Sequence, residues 1–238
     1  MSDREAALVV GVGPGLGASL GRCFAKIGMD VALAARDASR LSNLRSELVE
    51  LGSNTATYSC DAGNEDSVES LFQAATKELG GLDLVVFNAG AFVRRKLLET
   101  TAEEFERCWR VGCLGGFLVG RAAAREMVPR GRGTILFTGA TASLRGGALF
   151  HNLAVPKFGL RALAQSMARE LGPKGIHVGH VIIDGQILSD RYASLATERP
   201  EDGLLSPDAI ATSYLHLHQQ PRSAWTLELD LRPWVERF

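Results

Sequence analysis

The chain has few cysteines, few lysines, little net charge and no long apolar run. Its 238 residues include four cysteines, none in a C-x-x-C pair, and the formal charge is −1. So few thiols cannot build a disulfide framework, and a charge near zero argues against nucleic-acid binding. The apolar runs are strand-length, far below the ~20 residues that cross a bilayer, and glycine follows the first run too early for a signal peptide. We therefore expect a cytoplasmic protein with reduced thiols and with neither a membrane nor a nucleic-acid partner.

Short apolar runs alternate with longer amphipathic stretches along the whole chain. This alternation is typical of repeated βα units around a parallel sheet. We predict strands at Ala6–Gly11, Asp30–Ala35, Asn54–Cys60, Leu82–Asn88, Gly133–Thr138, His177–Ile183 and Trp225–Leu231. We predict helices at Gly15–Ile27, Ala38–Leu51, Glu65–Leu79, Ala102–Met127, Asn152–Leu171 and Pro207–His218. No linker or repeat interrupts the series, so we expect one domain over residues 1–238.

Capping residues support several of these helix starts. Thr101 and Glu104 have the spacing of a capping box, and Asn64 directly precedes the third predicted helix. Ser206 followed by Pro207 is typical of an N-cap with proline in the first helical position.

Residues 186–205 are polar and weakly periodic, and they lie between the sixth strand and the last helix. Ligands of open α/β sheets bind beyond the carboxyl ends of the strands, so this segment is placed to cover one. We expect it to be a substrate lid, with an ordinary surface loop as the alternative.

A glycine-rich loop joins the first predicted strand to the first helix. It satisfies G-x-x-x-G-x-G through Gly11, Gly15 and Gly17, and it also satisfies the looser G-x-G-x-x-A. Glycines let the backbone approach a pyrophosphate, and the N–H groups at the helix start, around Leu16, favour its negative charge. The loop therefore predicts a dinucleotide site, with a tight turn that binds nothing as the alternative.

The second and third strands end where the adenosine should lie. Arg36 ends the second strand, and its guanidinium suits a 2′-phosphate, whereas a carboxylate there would bind the ribose of NAD. We therefore expect NADP(H) to be preferred, with NAD(H) possible. The adjacent Asp37 either caps the next helix or binds the ribose itself. Asp61 and Ala62 end the third strand, where the Asp61 carboxylate could accept a hydrogen bond from the adenine amino group.

With these motifs, almost the whole chain resembles the short-chain dehydrogenase/reductase family. Besides the glycine loop, the resemblance rests on three motifs: Asn88-Ala89-Gly90 after the fourth strand, Lys157 in a long helix, and Asp184-Gly185-Gln186-Ile187 after the sixth strand. It implies a doubly wound, Rossmann-type three-layer sandwich with seven parallel strands that binds NAD(P)(H). It also implies that Asn88, Ala89 and Gly90 line the cofactor groove, that Lys157 binds the nicotinamide ribose, and that Gly185 and Ile187 lie near the carboxamide. Only five lysines accompany 21 arginines, so a lysine at this position is less expected by chance.

The resemblance also implies an oligomer, either a homodimer or a homotetramer. The predicted helices Ala102–Met127 and Asn152–Leu171 carry alanine and glycine faces that can pack closely across a two-fold axis. Trp234 and Phe238 add apolar surface near the end of the chain.

The departures from the family pattern concern proton chemistry. The family uses Asn, Ser, Tyr and Lys, with Tyr and Lys spaced as Y-x-x-x-K, and here only Lys157 is kept. The tyrosine position is Leu153, the serine position is Ala140, and the asparagine position is Gly112. Leucine has no proton to give to a carbonyl oxygen, and alanine cannot hold that oxygen.

Other residues near these positions could replace the missing hydroxyls. Thr138, Thr141, Ser143 and His151 lie in or near the loops that should face the nicotinamide, and Tyr192 lies in the expected lid. Histidine is the best substitute acid near neutral pH, so His151 joins Lys157 as a candidate catalytic residue, with an exposed loop histidine as its alternative. The five histidines lack metal-ligand spacing and no G-x-S-x-G motif is present, so we expect neither a metal site nor a nucleophilic triad.

Two functions follow. The first is an NADP(H)-dependent oxidoreductase acting on an unknown small molecule, with the substrate, a water or His151 as an unconventional proton donor. The second is a nucleotide-binding sensor or an inactive subunit of an assembly. The intact cofactor half favours binding, and hydride transfer depends chiefly on proximity to the nicotinamide, so the first is preferred.

Overall fold

A computed structural model of the chain describes residues 4–189 and 192–236. Its sheet contains seven strands: β1 (Ala6–Val10), β2 (Asp30–Ala35), β3 (Thr55–Ser59), β4 (Leu84–Phe87), β5 (Gly133–Thr138), β6 (Ile176–Ile183) and β7 (Glu228–Leu231). Every neighbouring pair is parallel, and the spatial order is β3-β2-β1-β4-β5-β6-β7. The predicted doubly wound, Rossmann-type fold with seven parallel strands is thereby confirmed.

The described α-helices are α1 (Leu16–Lys26), α2 (Ser42–Glu50), α3 (Glu65–Leu79), α4 (Ala102–Trp109), α5 (Gly115–Met127), α6 (His151–Leu171), α7 (Ala193–Glu198) and α8 (Pro207–His218). Six of them pack in two layers against the sheet, whereas α4 packs on α6 and α7 lies in the segment after β6. One apolar core lies between the sheet and α1, α2 and α8, and the other lies between the sheet and α3, α5 and α6. The central strands are buried on both faces because a helical layer covers each face of the sheet, whereas the edge strands β3 and β7 are only partly buried.

The observed elements differ from the predicted ones in two helical segments, at α7, where no helix is predicted, and at β7, which begins at Glu228 rather than at Trp225. The predicted helix Ala102–Met127 is interrupted by a π-helical stretch at Arg110–Leu114, and the predicted helix Ala38–Leu51 begins with a 3₁₀ turn at Ala38–Leu41. A single hydrophobic period runs through such changes of pitch, so the pattern does not reveal them.

All the expected N-caps form. Thr101 and Glu104 make a reciprocal capping box, the Asn64 side chain accepts from the Ser67 N–H at 2.8 Å, and the Ser206 hydroxyl accepts from the Ala209 N–H at 3.3 Å.

The expected lid has structure of its own. Ile187 and Leu205 form an isolated parallel β-bridge that ties the two ends of the segment together, and α7 lies between them. Asp190 and Arg191 lie outside the described residues. Closure over a ligand stays a prediction.

The strand order creates one crevice. The chain leaves β1 toward β2 and β3 on one side, and β4 begins the other half of the sheet next to β1. The loops after β1 and β4 therefore diverge, and this switch point is where open α/β sheets bind ligands. All four cysteines are free thiols. None of the helices described is long and apolar enough to span a membrane.

Candidate active site

Gly11 lies in the closest contact between the two halves of the sheet. Its φ is +94°, a conformation that strains other residues. A Cβ on Gly11 would lie 2.4 Å from the Ala89 backbone nitrogen, and the Asn88 side-chain amide donates to the Gly11 carbonyl at 2.9 Å. The glycine loop and the Asn88-Ala89-Gly90 segment are thus joined into one wall of the crevice, with Ala89 half-buried and Gly90 exposed.

The glycines of the loop have two different roles. Gly17, like Gly11, packs on protein, because a Cβ there would lie 2.8 Å from the Val12 Cα. A Cβ on Gly13 or Gly15, in contrast, would meet no packed neighbour within 4 Å among the described residues. Space for a ligand therefore exists over Gly13 and Gly15.

The start of α1 suits an anion. Its N-cap, Gly15, has no capping side chain, and no acidic residue lies in the first turn. The first N–H groups of the helix, beginning at Leu16, and the positive end of its dipole are directed at the open space. A pyrophosphate fits both the space and the charge.

A crevice of about 750 Å³ extends from the glycine loop to the end of β2. We call it the arginine crevice, because Arg36 and Arg40 line it together with Gly13 and Pro14. No described carboxylate lies within ion-pair distance of either guanidinium, although Asp37 also lines the crevice and its carboxylate interacts electrostatically with Arg40. The Asp37 carboxylate accepts from the Ser39 N–H at 3.1 Å, so Asp37 acts as the cap of the following turn. Sequence spacing did not indicate Arg40, because only the 3₁₀ turn after Asp37 brings it to the crevice.

The two residues that follow Cys60 after β3 differ in their exposure. The Asp61 side chain is exposed, and its Oδ1 accepts from the Gly63 N–H at 3.0 Å. Ala62 is buried against α5, where a Cβ on Gly115 would lie 2.8 Å from the Ala62 carbonyl oxygen. Ala62 therefore supports the crevice through packing.

A second cavity of about 670 Å³ lies beyond the ends of β4, β5 and β6. We call it the front cavity. Ala140, Leu153 and Gly185 line it together, as do Thr141 and Tyr192. Ala140 and Leu153, which sequence spacing predicts to replace a serine and a tyrosine, thus line the same cavity, and both are apolar.

Lys157 is buried behind this wall. Its Nζ donates to the Thr138 carbonyl at 2.5 Å, and burial lowers the pKa of the ammonium to about 8. The Thr138 hydroxyl is bonded to the Tyr214 hydroxyl at 2.8 Å, in a buried pair. Burial raises the pKa of Tyr214. Lys157 therefore holds the end of β5, while the Thr138 hydroxyl is committed to the core.

A buried carboxylate organises the floor of the front cavity. Asp184 accepts from the Thr141 hydroxyl at 2.5 Å, and the Arg232 guanidinium lies 3.3 Å from its other oxygen. Gly185 has a φ of +151°, and a Cβ on this residue would lie 2.8 Å from the Pro233 Cδ. A glycine at this position therefore lets the chain pass the proline ring. Ile187 then enters the bridge with Leu205.

The possible proton donors are distributed unevenly around the cavity. Thr141 and Tyr192 line it. His151 lies at the start of α6, and its Nε2 is bonded to the Thr100 hydroxyl at 2.8 Å. Ser143 is fully buried, and its Oγ accepts from the Ala140 N–H at 3.1 Å. Hydroxyl access to a substrate therefore favours Thr141 and Tyr192.

Gly112 lies within the π-helical stretch. A Cβ there would lie 3.0 Å from the Pro156 Cβ, so Pro156 in α6 takes the room that an asparagine would need. Sequence spacing predicts that Gly112 takes the place of an asparagine. Only the packing of the two helices gives a reason for a glycine there.

Comparison with known proteins agrees with this geometry. A family model described as short chain dehydrogenase matches residues 5–199. A short-chain dehydrogenase/reductase of Armillaria gallica is 37% identical over 201 residues, which cover 83% of this chain and 76% of the relative. A crystal structure of a short-chain dehydrogenase from Rhodopseudomonas palustris is 42% identical, with a TM-score of 0.84 over 97% of this chain and 99% of the other. A metagenomic short-chain oxidoreductase in complex with NADP is 25% identical, with a TM-score of 0.84 over 98% of each chain.

The chain therefore belongs to the short-chain dehydrogenase family, whose members are oxidoreductases that bind NAD(P). The membership rests on the family model, the relatives and the shared fold.

The Gly11 contact generates the first prediction. We expect Gly11→Ala to lower the free energy of unfolding by about 2–4 kcal/mol, because the methyl group meets the Ala89 backbone and the positive φ is strained. Gly13→Ala is the matched control, since its methyl group enters open space, and it should change stability by less than about 0.5 kcal/mol. Urea denaturation of both variants measures the difference. Equal stability of the two variants would contradict this packing role.

Proposed function

We propose that the protein is an NADP(H)-dependent oxidoreductase acting on a small molecule with a non-standard proton donor. The observation that carries the proposal is the arginine crevice, in which the glycine loop and the guanidiniums of Arg36 and Arg40 line one space. A 2′-phosphate placed there would meet two permanent positive charges. Asp37 lines the same crevice, and its carboxylate offsets part of that charge, but it already accepts from the Ser39 N–H.

Different residues would bind different parts of the cofactor. The pyrophosphate would bind at the start of α1, over the backbone of Gly13 and Gly15. The 2′-phosphate would bind to Arg36 and Arg40. Asp61 stays a candidate for the adenine, and Gly185 with Ile187 for the carboxamide. The bound nicotinamide supplies or accepts a hydride, which is the chemistry the side chains lack.

The front cavity determines how a substrate could react. Ala140 and Leu153 present an apolar wall, so a carbonyl oxygen placed against it finds no strong acid among their side chains. Thr141 lines the same cavity and is oriented by Asp184, so it can position a substrate hydroxyl or a water. His151 stays a proposed donor, with the Thr100 contact as its present partner. Lys157 would act through the end of β5 and through its positive charge.

The alternative is a nucleotide-binding subunit without turnover. The apolar wall of Ala140 and Leu153 favours it, because the arginine crevice could serve for binding alone. Consumption of NADPH over a broad panel of carbonyl compounds distinguishes the two functions: turnover supports the enzyme, whereas tight binding without turnover supports the subunit.

The cofactor preference can be tested at the arginine crevice. We expect the wild type to bind NADPH at least about tenfold more tightly than NADH, because each charge-assisted contact to phosphate is lost with NADH. Arg36→Ala and Arg40→Ala should each reduce that preference, and the double variant should remove it. Arg169→Ala, a surface arginine of α6 that donates to the Gln165 carbonyl, is the control. Fluorescence titration measures both nucleotides, and equal affinities in the wild type would refute the assignment.

The loss of the proton donor can be tested by restoring it. We expect little wild-type activity on ordinary ketones and aldehydes, and we expect Ala140→Ser with Leu153→Tyr to raise carbonyl reduction by roughly 10²–10⁴. The positive charge of Lys157 should lower the pKa of the new phenol toward the useful range. Ala140→Ser with Leu153→Phe is the matched control, since it supplies the ring without the hydroxyl. Robust wild-type activity that survives His151→Ala and Lys157→Ala would mean that the active site lies elsewhere.

We also propose that the protein is a homo-oligomer. Large apolar side chains are exposed along neighbouring helical elements, namely Phe105 and Trp109 of α4, Phe117 of α5, and Val155 and Phe158 of α6. Trp234 is 72% exposed near the chain end, while Phe238 lies outside the described residues. A patch of this kind usually faces a partner, and a second copy is the simplest one.

Light scattering tests the oligomer. We expect a mass of at least twice the 25.5 kDa of one chain, and we expect Trp109→Glu with Phe158→Glu to reduce it by placing charges in the interface. Val49→Glu, at an exposed apolar residue of α2 on the other layer, should leave the mass unchanged. A concentration-independent wild-type mass near 25.5 kDa would defeat the proposal.

A further inference from the structure

The front cavity has a strongly unequal distribution of charge. Arg94 follows β4, Arg145 follows β5 and Arg199 ends α7, and all three line the cavity. The only carboxylate among its described lining residues is Glu236. The described cavity lining therefore carries an excess of two positive charges.

These three guanidiniums differ from the arginines that the fold uses in ion pairs. Arginines elsewhere, such as Arg22 and Arg125, pair with a glutamate at 2.7 and 2.9 Å. Within residues 4–189 and 192–236, no carboxylate lies within ion-pair distance of Arg94, Arg145 or Arg199.

The same three arginines form few other contacts within the described chain. Arg199 donates to the Gly203 carbonyl at 3.1 Å, and Arg94 lies over the Phe150 ring with 5.6 Å to its centroid. Asp184, beneath the cavity, is already occupied by Thr141 and Arg232. Donors of the cavity arginines therefore remain for a ligand.

An aromatic surface lies beside these charges. The Phe92 and Phe150 rings stack with centroids 5.0 Å apart and an interplanar angle of 23°, and both are half-buried. Leu153 continues this apolar surface toward Ala140. A flat apolar body can pack on the rings and leave a charged group among the arginines.

We propose that the front cavity binds a planar organic acid, so that the substrate of the oxidoreductase proposed above carries a carboxylate or an equivalent oxyanion. Guanidinium pairs with such groups through two parallel hydrogen bonds. A neutral ligand would displace water from the three guanidiniums without replacing the hydrogen bonds that the water made. An acid replaces those hydrogen bonds with its own oxygen atoms. The reacting carbon then lies toward Ala140 and Leu153, and the acid group toward the mouth of the cavity.

The test measures binding rather than turnover. Calorimetric titrations of the full chain, with NADP⁺ present, compare 2-naphthoate with 2-naphthamide, which has the same ring and no charge, and with 2-naphthyl phosphate. We expect the two anions to bind about tenfold or more tightly than the amide. Each of Arg94→Gln, Arg145→Gln and Arg199→Gln should weaken anion binding by about three- to tenfold, because solvent screens Arg94 and Arg145, which are exposed, and Arg199, which is half-buried. The triple variant should bind anion and amide alike.

The controls separate this inference from the proposed function. Arg169→Gln, on the remote surface of α6, should keep the full preference for anions. Amide binding should stay unchanged in every variant, which shows that the cavity is intact. If the anions and the amide bind equally or not at all, or if the preference survives in the triple variant, the inference is overturned. If instead NADPH does not bind while the preference is present and depends on the arginines, the proposed function fails and the anion site stands.

Discussion

The contact of Gly11 with the Asn88-Ala89 backbone is the constraint on which the rest of the site depends. The two halves of the sheet diverge at this point. Any side chain at Gly11 would separate the halves, because a Cβ would lie 2.4 Å from the Ala89 nitrogen. The Asn88 amide closes the same junction by donating to the Gly11 carbonyl at 2.9 Å. The open space over Gly13 and Gly15 exists because the neighbouring glycines are packed so tightly.

The arginine crevice and the front cavity differ in their chemistry. The arginine crevice has the glycine loop, the uncapped start of α1 and the guanidiniums of Arg36 and Arg40, so it suits an anion. The front cavity has apolar side chains at Ala140 and Leu153, with an aromatic surface and three arginines beside them. Charged and aromatic groups are thus available for binding, whereas Ala140 and Leu153 have no proton to give. The oxidoreductase proposed above would take its proton from a water, a lining hydroxyl or the substrate.

The helices behind the front cavity fit one another as a pair. The π-helical stretch brings Gly112 against Pro156, so that a Cβ on the glycine would lie 3.0 Å from the proline Cβ. The Pro156 ring lies directly against Gly112, and a glycine at that position allows the close approach. An asparagine placed at Gly112 would therefore require Pro156 to shift by a few tenths of an ångström, whereas changing Ala140 and Leu153 acts on residues that line open space.

Local sequence determined much of this protein. Strand and helix positions, the caps at Asn64 and Thr101, and the place of Arg36 at the end of β2 follow from periodicity and nearby chemistry, because these features involve neighbours in the chain. Tertiary structure alone decided which side chains share a cavity. Arg40 reaches the arginine crevice only through a 3₁₀ turn, and His151 is bonded to Thr100. The three cavity arginines come together from segments that are far apart in sequence. Such placements depend on how separate loops pack at the ends of the strands, and no local pattern of residues encodes that packing.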